Sequence, residues 1–176
     1  MSGLPIDIPV VETERLRLRA PSEADLETEA AFFATDRSAF VGGPLVRDEV
    51  WRAIASMLGH WVIRGYGFWA VDEKETGLYC GRVGLWNPEA WPEPEIGWTL
   101  MEAAEGRGIA LEAALAARRY AYDTLGWTTA VSSIDPDNNR SAALAARMGA
   151  RYEYDYTHPR YGEMKVWRHP GPEEVQ

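Results

Sequence analysis

The sequence predicts a mixed α/β fold of one domain, in which helices pack on a central sheet. Segments with alternating apolar residues, or rich in β-branched and aromatic residues, dominate the middle of the chain and indicate strands. Towards the C-terminus such segments alternate with two alanine-rich stretches that favour helices. The length of 176 residues and the 46% hydrophobic content fit one domain spanning residues 1–176, with its core at 13–168. The ends, 1–10 and 170–176, are expected to be flexible.

The first half of the chain predicts one strand followed by two helices. Leucine alternates with arginine over residues 13–20, which is typical of a half-buried strand. Ser22 and Asp25 then form a capping-box pattern, which satisfies free N–H groups at the start of a helix. A loop with glycines and a proline at 36–47 leads to a second helix, whose apolar stripe ends before Gly65.

The second half of the chain predicts six more strands and two more helices. The strands are expected at residues 68–72, 78–86, 95–101, 128–134, 152–156 and 163–168. The first of these helices is expected to begin after Gly108 and to end at Gly126, because glycine is favoured just beyond a helix C-terminus. The second is expected to begin after Asn138 and to end at Gly149.

Composition argues against several classes of function. The net charge is −9 at pH 7, whereas proteins that bind duplex nucleic acid usually present a basic face. The single cysteine, Cys80, cannot form an internal disulfide, and three histidines far apart in the sequence do not predict a metal site. No apolar run approaches the roughly 18 residues of a membrane span, and no basic leader is present. We therefore expect a soluble cytoplasmic protein without metal, nucleic acid or membrane as a partner.

The segment with the most informative chemistry is the loop Gly106-Arg107-Gly108, between a predicted strand and a predicted helix. Glycines let the backbone approach an anion closely, and a helix N-terminus adds N–H groups and partial positive charge. The loop therefore predicts a diphosphate site with Arg107 as a further contact, although a turn before a helix would also use glycine. A Walker A sequence requires a following Gly-Lys-Ser/Thr, and Leu111 stands where dinucleotide-binding loops have a third glycine.

Two motifs carry a resemblance to a known family. The first is EIGWTL at residues 95–100 followed by GRGIALEA at 106–113, and the second is DPDNNRS at 135–141. Together with TERL at 13–16, they resemble the GNAT superfamily of CoA-dependent N-acetyltransferases, and within it the ribosomal-protein (Rim-type) branch. The resemblance covers nearly the whole chain. It implies a mostly antiparallel, twisted sheet of six to seven strands with about four helices, in which a bulged fourth strand splays from the fifth.

The resemblance also implies where acetyl-CoA would bind. The backbone of residues 105–110 would hold the CoA diphosphate, and the pantetheine arm would insert where the fourth and fifth strands separate. The implied contacts are Trp98, Leu100, Met101, Glu105, Gly106, Arg107, Gly108, Ile109, Ala110, Asn138 and Ser141. Trp98 is equally consistent with a core residue. The chain departs from the family at Ala103, where arginine or glutamine usually opens the loop.

Glu95 is the candidate general base or substrate-orienting group of such a transfer. A lysine amine with a pKa of about 10.4 is almost entirely protonated at pH 7, so its attack on a thioester needs a base. The resemblance gives this role to Glu95, at the start of the fourth strand, and Glu93 is a second carboxylate that could share its face. Glu95 could instead simply cap the strand end in solvent.

The departing CoA thiolate needs a proton, and the resemblance suggests Ser141 as its source. Many members of the superfamily place a tyrosine for this purpose where this chain has Ala145. The Rim-type branch offers the serine of its Asn-x-x-Ser motif instead. Serine is also a common helix cap, so both roles remain open for Ser141.

The resemblance implies an acetyl-CoA-dependent N-acetyltransferase. It would act on a primary amine of a protein N-terminus or a small molecule, by direct attack in a ternary complex, and the family suggests a homodimer. The acceptor pocket is expected to be walled by residues 40–45, 86–91 and 152–156. Two alternatives remain open: a non-catalytic acyl-CoA-binding or sensor module, suggested by Ala103 and Ala145, and a nucleotide-binding α/β domain.

Overall fold

The computed structural model describes residues 6–175, which form one sheet with four α-helices and short 3-10 turns. The helices are α1 Leu26–Phe33, α2 Arg47–Arg64, α3 Ile109–Asp123 and α4 Asn139–Arg147. The strands are β1 Val11–Glu12, β2 Leu16–Arg19, β3 Phe68–Glu73, β4 Tyr79–Trp86, β5 Glu95–Leu100, β6 Val131–Ile134, β7 Arg151–His158 and β8 Gly162–Arg168. The predicted mixed α/β fold class is therefore confirmed.

The sheet has eight strands in the order β1-β2-β3-β4-β5-β6-β8-β7. All neighbours pair antiparallel except β5 and β6, which run parallel. The expected six to seven strands are one too few, because Val11–Glu12 forms a short hairpin with β2. A doubly wound dinucleotide-binding domain has a mostly parallel sheet, so this topology argues against the alternative of a nucleotide-binding α/β domain.

Two large apolar clusters hold α1, α2 and α3 against the sheet. Ala113 and Ala117 of α3 have no exposed surface and pack in the main core with Leu85 of β4, since small side chains let the helix approach the strands. Phe33 of α1 and Val50 of α2 belong to a second cluster, which also contacts the aromatic rings on β3 and β4. The second cluster borders the cavity described below.

β5 and β6 separate soon after they meet. Their pairing consists of one bridge, Glu95 opposite Val131, so the predicted splay of the two strands is confirmed. The bulge predicted in the first of them is wrong, because β4 and β5 pair in continuous register. The irregularity lies between β3 and β4 instead, next to Gly81. A Cβ at Gly81 would lie 2.1 Å from the Thr99 carbonyl oxygen, so this close strand approach requires glycine.

Both ends of the described chain contact the core. The carbonyl of Pro9 accepts a hydrogen bond from Trp69 Nε1, and that of Pro170 accepts one from the Tyr122 hydroxyl, each at 2.8 Å. Residues 1–5 and 176 lie outside the described residues, and the domain limits stay a prediction. Among residues 6–175, no helix is long and apolar enough to cross a bilayer. The same residues contain no group of three or more His, Cys, Asp or Glu side chains arranged for a metal ion.

Candidate active site

A cavity of about 590 Å³ lies across the split between β5 and β6. One wall comes from β5, the end of β6 and the start of α4, and the opposite wall comes from α1, α2 and the loop between them. Of the predicted site residues, the cavity brings together Glu95, Trp98, Asn138 and Ser141. A carboxyl group and a hydroxyl group from distant parts of the sequence therefore line one space.

The loop before α3 presents unpaired backbone N–H groups. Gly106 and Gly108 have φ angles of 71° and 75°, which side chains with a Cβ rarely adopt. Within residues 6–175, the N–H groups of 106–110 make no hydrogen bond, whereas that of Glu105 donates to the Glu102 carbonyl oxygen at 3.2 Å. The partial positive charge at the N-terminus of α3 acts on the same space. We name residues 106–110 the amide loop, whose donors suit a diphosphate anion.

Arg15 and Glu112 fix the conformation of the amide loop. Glu112, in the first turn of α3, accepts hydrogen bonds from Thr13 Oγ1 at 2.6 Å and from the Arg15 N–H at 2.9 Å. Arg15 Nη1 donates to the Arg107 carbonyl oxygen at 2.9 Å. This bond fixes the peptide between Arg107 and Gly108, so the Gly108 N–H points away from Arg15. These hydrogen bonds were not predicted from the sequence, although Arg15 and Glu112 both lie in the quoted motifs.

Arginine side chains surround the amide loop, but each has a carboxylate partner. The Arg107 guanidinium pairs with Glu73 at the end of β3, so its contact with an anion stays a prediction. Arg37 and Arg140 both pair with Glu105, the latter at 2.7 Å. Sequence reasoning did not find these two arginines, because no local pattern connects them with the loop.

Glu95 is buried at the bridge between the two separating strands. The residue is 7% exposed, and its Oε2 accepts a hydrogen bond from the Ser133 N–H at 3.0 Å. Burial raises the pKa of Glu95 to about 7, against the opposing influence of nearby donors on Trp91 and Ser133. Trp91 Nε1 and Ser133 Oγ nevertheless make no hydrogen bond of good geometry within residues 6–175. The interpretation of Glu95 as a solvated strand end is wrong, and its carboxyl group is suited to exchange a proton near neutral pH.

Gly97 leaves the space that the Glu95 carboxyl group occupies. A Cβ at this position would lie 2.9 Å from Phe68 Cζ and 3.1 Å from Glu95 Oε1. We expect Gly97→Ala to displace the carboxyl group and to lower kcat/KM by about 10- to 100-fold, since small misplacements are costly in catalysis. Gly59→Ala on α2 is the matched control, because nothing lies within 4 Å of its added Cβ and its activity should not change. Steady-state kinetics of both variants check this, and wild-type kcat/KM in Gly97→Ala would contradict it.

Ser141 lines the cavity at the start of α4 and is not the helix cap. Asn138 is the N-cap, and its Oδ1 accepts a hydrogen bond from the Ser141 N–H at 3.1 Å. The Ser141 hydroxyl oxygen accepts one from Trp98 Nε1 at 3.2 Å. Among the described residues its own proton has no acceptor, so the hydroxyl group is free to donate into the cavity.

Two further predicted site residues, Leu100 and Met101, lie away from the cavity, as does Ala145. Leu100 packs on the main core, and the Met101 N–H donates to the Cys80 carbonyl oxygen at 2.9 Å. Ala145 has no exposed surface and packs with Ile134, so it offers no group to a reacting molecule. The cofactor contacts predicted for Leu100 and Met101 stay predictions.

Of the three segments predicted to wall the acceptor pocket, two line the cavity and the third does not. Residues from 40–45 and 86–91 line the cavity, including the side chains of Trp86 and Trp91. Residues 152–156 do not, because the Tyr154 hydroxyl group binds Glu93, which also pairs with Arg168. The tip of the β7–β8 hairpin lines the cavity instead. Glu93 therefore does not share the site of Glu95.

Comparisons with known proteins match most of this chain to one family. The Acetyltransferase (GNAT) domain family matches residues 15–151. The ribosomal protein uS5-alanine N-acetyltransferase of Escherichia coli is 27% identical over 170 residues, which cover 87% of this chain and 84% of that protein. An acetyltransferase structure from Agrobacterium tumefaciens is 37% identical with a TM-score of 0.85, covering 97% of this chain and 99% of that one.

A ribosomal-protein-S5-alanine acetyltransferase from Vibrio fischeri, at 16% identity, shares the fold with a TM-score of 0.71. The matched region covers 94% of this chain and 98% of that one. The family match spans most of the chain and includes both the amide loop and the cavity walls on β5 and β6. The chain therefore belongs to the GNAT acetyltransferase family and is an acyltransferase.

Proposed function

We propose that the protein transfers an acetyl group from acetyl-CoA to a primary amine, by direct attack in a ternary complex. The observation that carries this proposal is the buried Glu95 carboxyl group in a cavity at the split of β5 and β6, with a pKa of about 7. A group that titrates near neutral pH and faces a substrate-sized cavity is typical of proton transfer in catalysis.

The donor acetyl-CoA supplies an activated thioester, which is the acyl source of this family. The free N–H groups of residues 106–110 would hold its diphosphate, and the opening beside Trp98 would take its pantetheine arm. The diphosphate would be held by main-chain donors, which Arg15 and Glu112 fix in place. Alanine at position 103, where the family usually has arginine or glutamine, therefore removes no essential contact.

Glu95 would remove a proton from the attacking amine as its nitrogen bonds to the thioester carbon. The carbon–sulfur bond breaks in the same transfer, and the sulfur gains one proton. The products are an amide and a thiol, so the proton lost through Glu95 equals the one that the sulfur takes up. With a pKa of about 7, half of the Glu95 carboxyl groups are ionised at pH 7. The carboxylate is then abundant enough to act as a base and also basic enough to accept the proton of the amine.

Ser141 would donate a hydrogen bond, and then a proton, to the departing sulfur. Trp98 Nε1 donates to the Ser141 hydroxyl oxygen, which directs the serine proton away from the indole and into the cavity. Water in the open cavity would return a proton to the serine. Trp98 is in this proposal a positioning residue, which acts through Ser141.

We expect Ser141→Ala to lower kcat by about 10- to 100-fold, because a hydrogen bond to a charged group is worth roughly 1.5–3 kcal/mol. The dissociation constant of acetyl-CoA should stay within twofold of wild type. Ser141→Thr keeps the hydroxyl group and should restore most of the activity, while Trp98→Phe keeps the ring packing and should cause a smaller loss. Thiol release measures kcat, calorimetry measures binding, and normal turnover of Ser141→Ala would exclude this role.

The test of the proposed function is acetyl transfer by the purified protein. Acetyl-CoA is incubated with small primary amines and with peptides that have a free N-terminus, and free thiol is followed by absorbance. Mass spectrometry then locates the acetyl group on the acceptor. Absence of acetyl-CoA binding at millimolar concentration would contradict the proposal.

A non-catalytic acyl-CoA-binding module is the second candidate, because Ala145 leaves the site without the tyrosine that many relatives use. Tight binding of acetyl-CoA without turnover of any acceptor would favour it. The raised pKa of Glu95 favours catalysis, since a binding module gains nothing from a buried carboxyl group that titrates near pH 7.

The proposed activity belongs in the cytoplasm, where acetyl-CoA is the acyl donor and thiols remain reduced. Cys80 is compatible with that setting, since it is buried and burial raises its pKa to about 11, which keeps the thiol unreactive. A peptide N-terminus is one candidate acceptor, because the Escherichia coli relative is named for acetylating an alanine of a ribosomal protein. The homodimer stays a prediction, which size-exclusion chromatography with light scattering checks.

A further inference from the structure

The cavity has a second polar end, formed by Arg82 on β4 and Thr99 on β5. The two residues lie directly opposite each other in the sheet, and Trp86 lies opposite Glu95 four positions further along the same pair of strands. Both ends face the cavity, because residues an even number apart share one face of a strand. Four residues correspond to about 14 Å along a strand. Arg82 and Glu95 therefore lie at opposite ends of one substrate-sized cavity.

The Arg82 guanidinium is buried but has few partners. Its side chain is 11% exposed, and Nη1 lies 3.5 Å from Glu29 Oε2 and 3.7 Å from Met57 Sδ. Its Cζ is 5.0 Å from the centroid of the Phe33 ring, so the group also rests against an aromatic face. Within residues 6–175, Nε and Nη2 donate no hydrogen bond. A buried arginine with open donors requires further acceptors.

Glu29 does not fully satisfy the charge of Arg82. The Tyr79 hydroxyl group donates to Glu29 Oε1 at 2.5 Å, so this carboxylate shares its negative charge between two partners. The Thr99 hydroxyl group makes no hydrogen bond among the described residues, although Thr99 is only 7% exposed. Arg82 and Thr99 therefore present unused N–H and O–H groups to the end of the cavity away from Glu95.

We propose that Arg82 and Thr99 bind a carboxylate group of the acceptor, and that the preferred acceptor carries its primary amine several bonds from that carboxylate. This inference rests on the proposed function, which places the reacting amine near Glu95. The α-carboxylate of an amino acid is only two bonds from its own amine and cannot reach the other end of the cavity. Acceptors of suitable length are ω-amino acids and short peptides whose extended length equals that of about two to three residues.

The walls between the two ends favour the same class of acceptor. Phe68 and Trp86 line the cavity between Arg82 and Glu95, and their ring centroids are 5.2 Å apart. Such walls pack well against methylene groups or apolar side chains and offer no hydrogen-bond donor to a carboxylate. The wall that the sheet contributes is therefore aromatic between Arg82 and Glu95, which matches a molecule with an amine at one end and a carboxylate at the other.

The experiment compares acceptors that differ only at the far end. Each ω-amino acid and each dipeptide is paired with its carboxamide of the same length, and kcat/KM is measured with saturating acetyl-CoA. Wild type should prefer the carboxylate at least 10-fold. Arg82→Met should reduce this preference to about one, chiefly by lowering kcat/KM for the carboxylate, and Arg82→Lys should be intermediate. A larger preference for dipeptides than for ω-amino acids would identify a peptide acceptor.

Glu29 provides the controls, because Arg82→Met leaves its carboxylate buried without this ion pair. The double variant Glu29→Gln/Arg82→Met removes both charges and should show the same loss of preference with a restored melting temperature. Glu29→Gln alone should increase the carboxylate preference, since it frees Arg82. Equal losses for carboxylate and carboxamide in Arg82→Met and the double variant would overturn the inference and leave Arg82 with a structural role.

Binding separates this inference from the proposed function. Calorimetry compares an N-acetylated ω-amino acid, which is a product, with its carboxamide, and needs no turnover. Weaker binding of the carboxamide to wild type, but not to Arg82→Met, supports the carboxylate site even if every acceptor fails in the transfer assay. Absence of turnover in wild type would contradict the proposed function alone, and equal binding of the two products would overturn the carboxylate site.

Discussion

Glu95→Gln should lower kcat/KM by about 10²- to 10⁴-fold, which is the usual contribution of a general base. Glutamine keeps the shape of the side chain and the hydrogen bond that the side chain accepts from the Ser133 N–H, but it cannot take a proton. The dissociation constant of acetyl-CoA should not change, because Glu95 begins β5 whereas the amide loop follows the opposite end of this strand. Single-turnover acetyl transfer at pH 8 gives the loss in the chemical step.

The pH profile identifies the group more directly than the loss of rate. An acceptor amine with a pKa below 5 stays neutral across the range, so the rate should follow only the enzyme. With the pKa of Glu95 at about 7, kcat/KM of wild type should rise up to about pH 7 and then level off. This dependence should be absent in Glu95→Gln, and its persistence would contradict the role of Glu95.

The change of protein stability with pH provides a second test of the raised Glu95 pKa, and the direction of this change can be predicted. The pKa of Glu95 is about 7 in the folded protein, above its usual value of 4.5, so the folded state holds the proton more tightly than the unfolded state. The wild-type free energy of unfolding should therefore fall by about 3 kcal/mol as pH rises from 4.5 to 7. Glu95→Gln has no charge to bury, so urea denaturation should find it more stable than wild type at pH 8 and similar at pH 4.5.

Glu93→Gln is the matched control for these measurements. Glu93 lies two residues away, but it pairs with Arg168 outside the cavity. We expect nearly wild-type kcat/KM and an unchanged pH profile. A loss in Glu93→Gln comparable to that in Glu95→Gln would mean that the charge of this strand end, rather than one base, controls the reaction.

The positions of most elements follow from local patterns in the sequence. The predicted helix from Gly108 to Gly126 corresponds to α3, because glycine with positive φ flanks it at both ends. The two residues of β1 are too few for a periodic pattern, and their pairing with β2 is visible only in the structure. β6 begins three residues later than expected, since residues 128–130 lack the pairing with β8 that defines the strand.

The site was predictable where it depends on main chain and not where it depends on distant side chains. Glycines at 106 and 108 predict free N–H groups, because their spacing and the following helix are local features. Arg82 was missed because its partner Glu29 comes from α1, and no local pattern connects the two residues. The raised pKa of Glu95 was equally hidden, since it results from burial by segments far away in the sequence.

Gly106→Val should weaken acetyl-CoA binding at least 100-fold if the amide loop holds the diphosphate. Nothing lies within 4 Å of a Cβ at this position, so no clash inside the protein accounts for the effect. Valine strongly disfavours the φ angle of 71°, so the loop must carry strain or turn its N–H groups away. The added side chain also projects into the open space before these donors, where an anion would approach.

Gly126→Val separates loss of the anion site from general strain. Gly126 has a φ angle of 70° and equally open surroundings, but it follows the C-terminus of α3, away from the amide loop. Both variants should lose similar stability, and only Gly106→Val should lose affinity for acetyl-CoA in calorimetry. Gly106→Asn tolerates positive φ, so weak binding by this variant would assign the effect to the blocked approach rather than to the backbone. Wild-type affinity in Gly106→Val would mean that the diphosphate binds elsewhere. This result would contradict the role predicted for the free N–H groups of the amide loop.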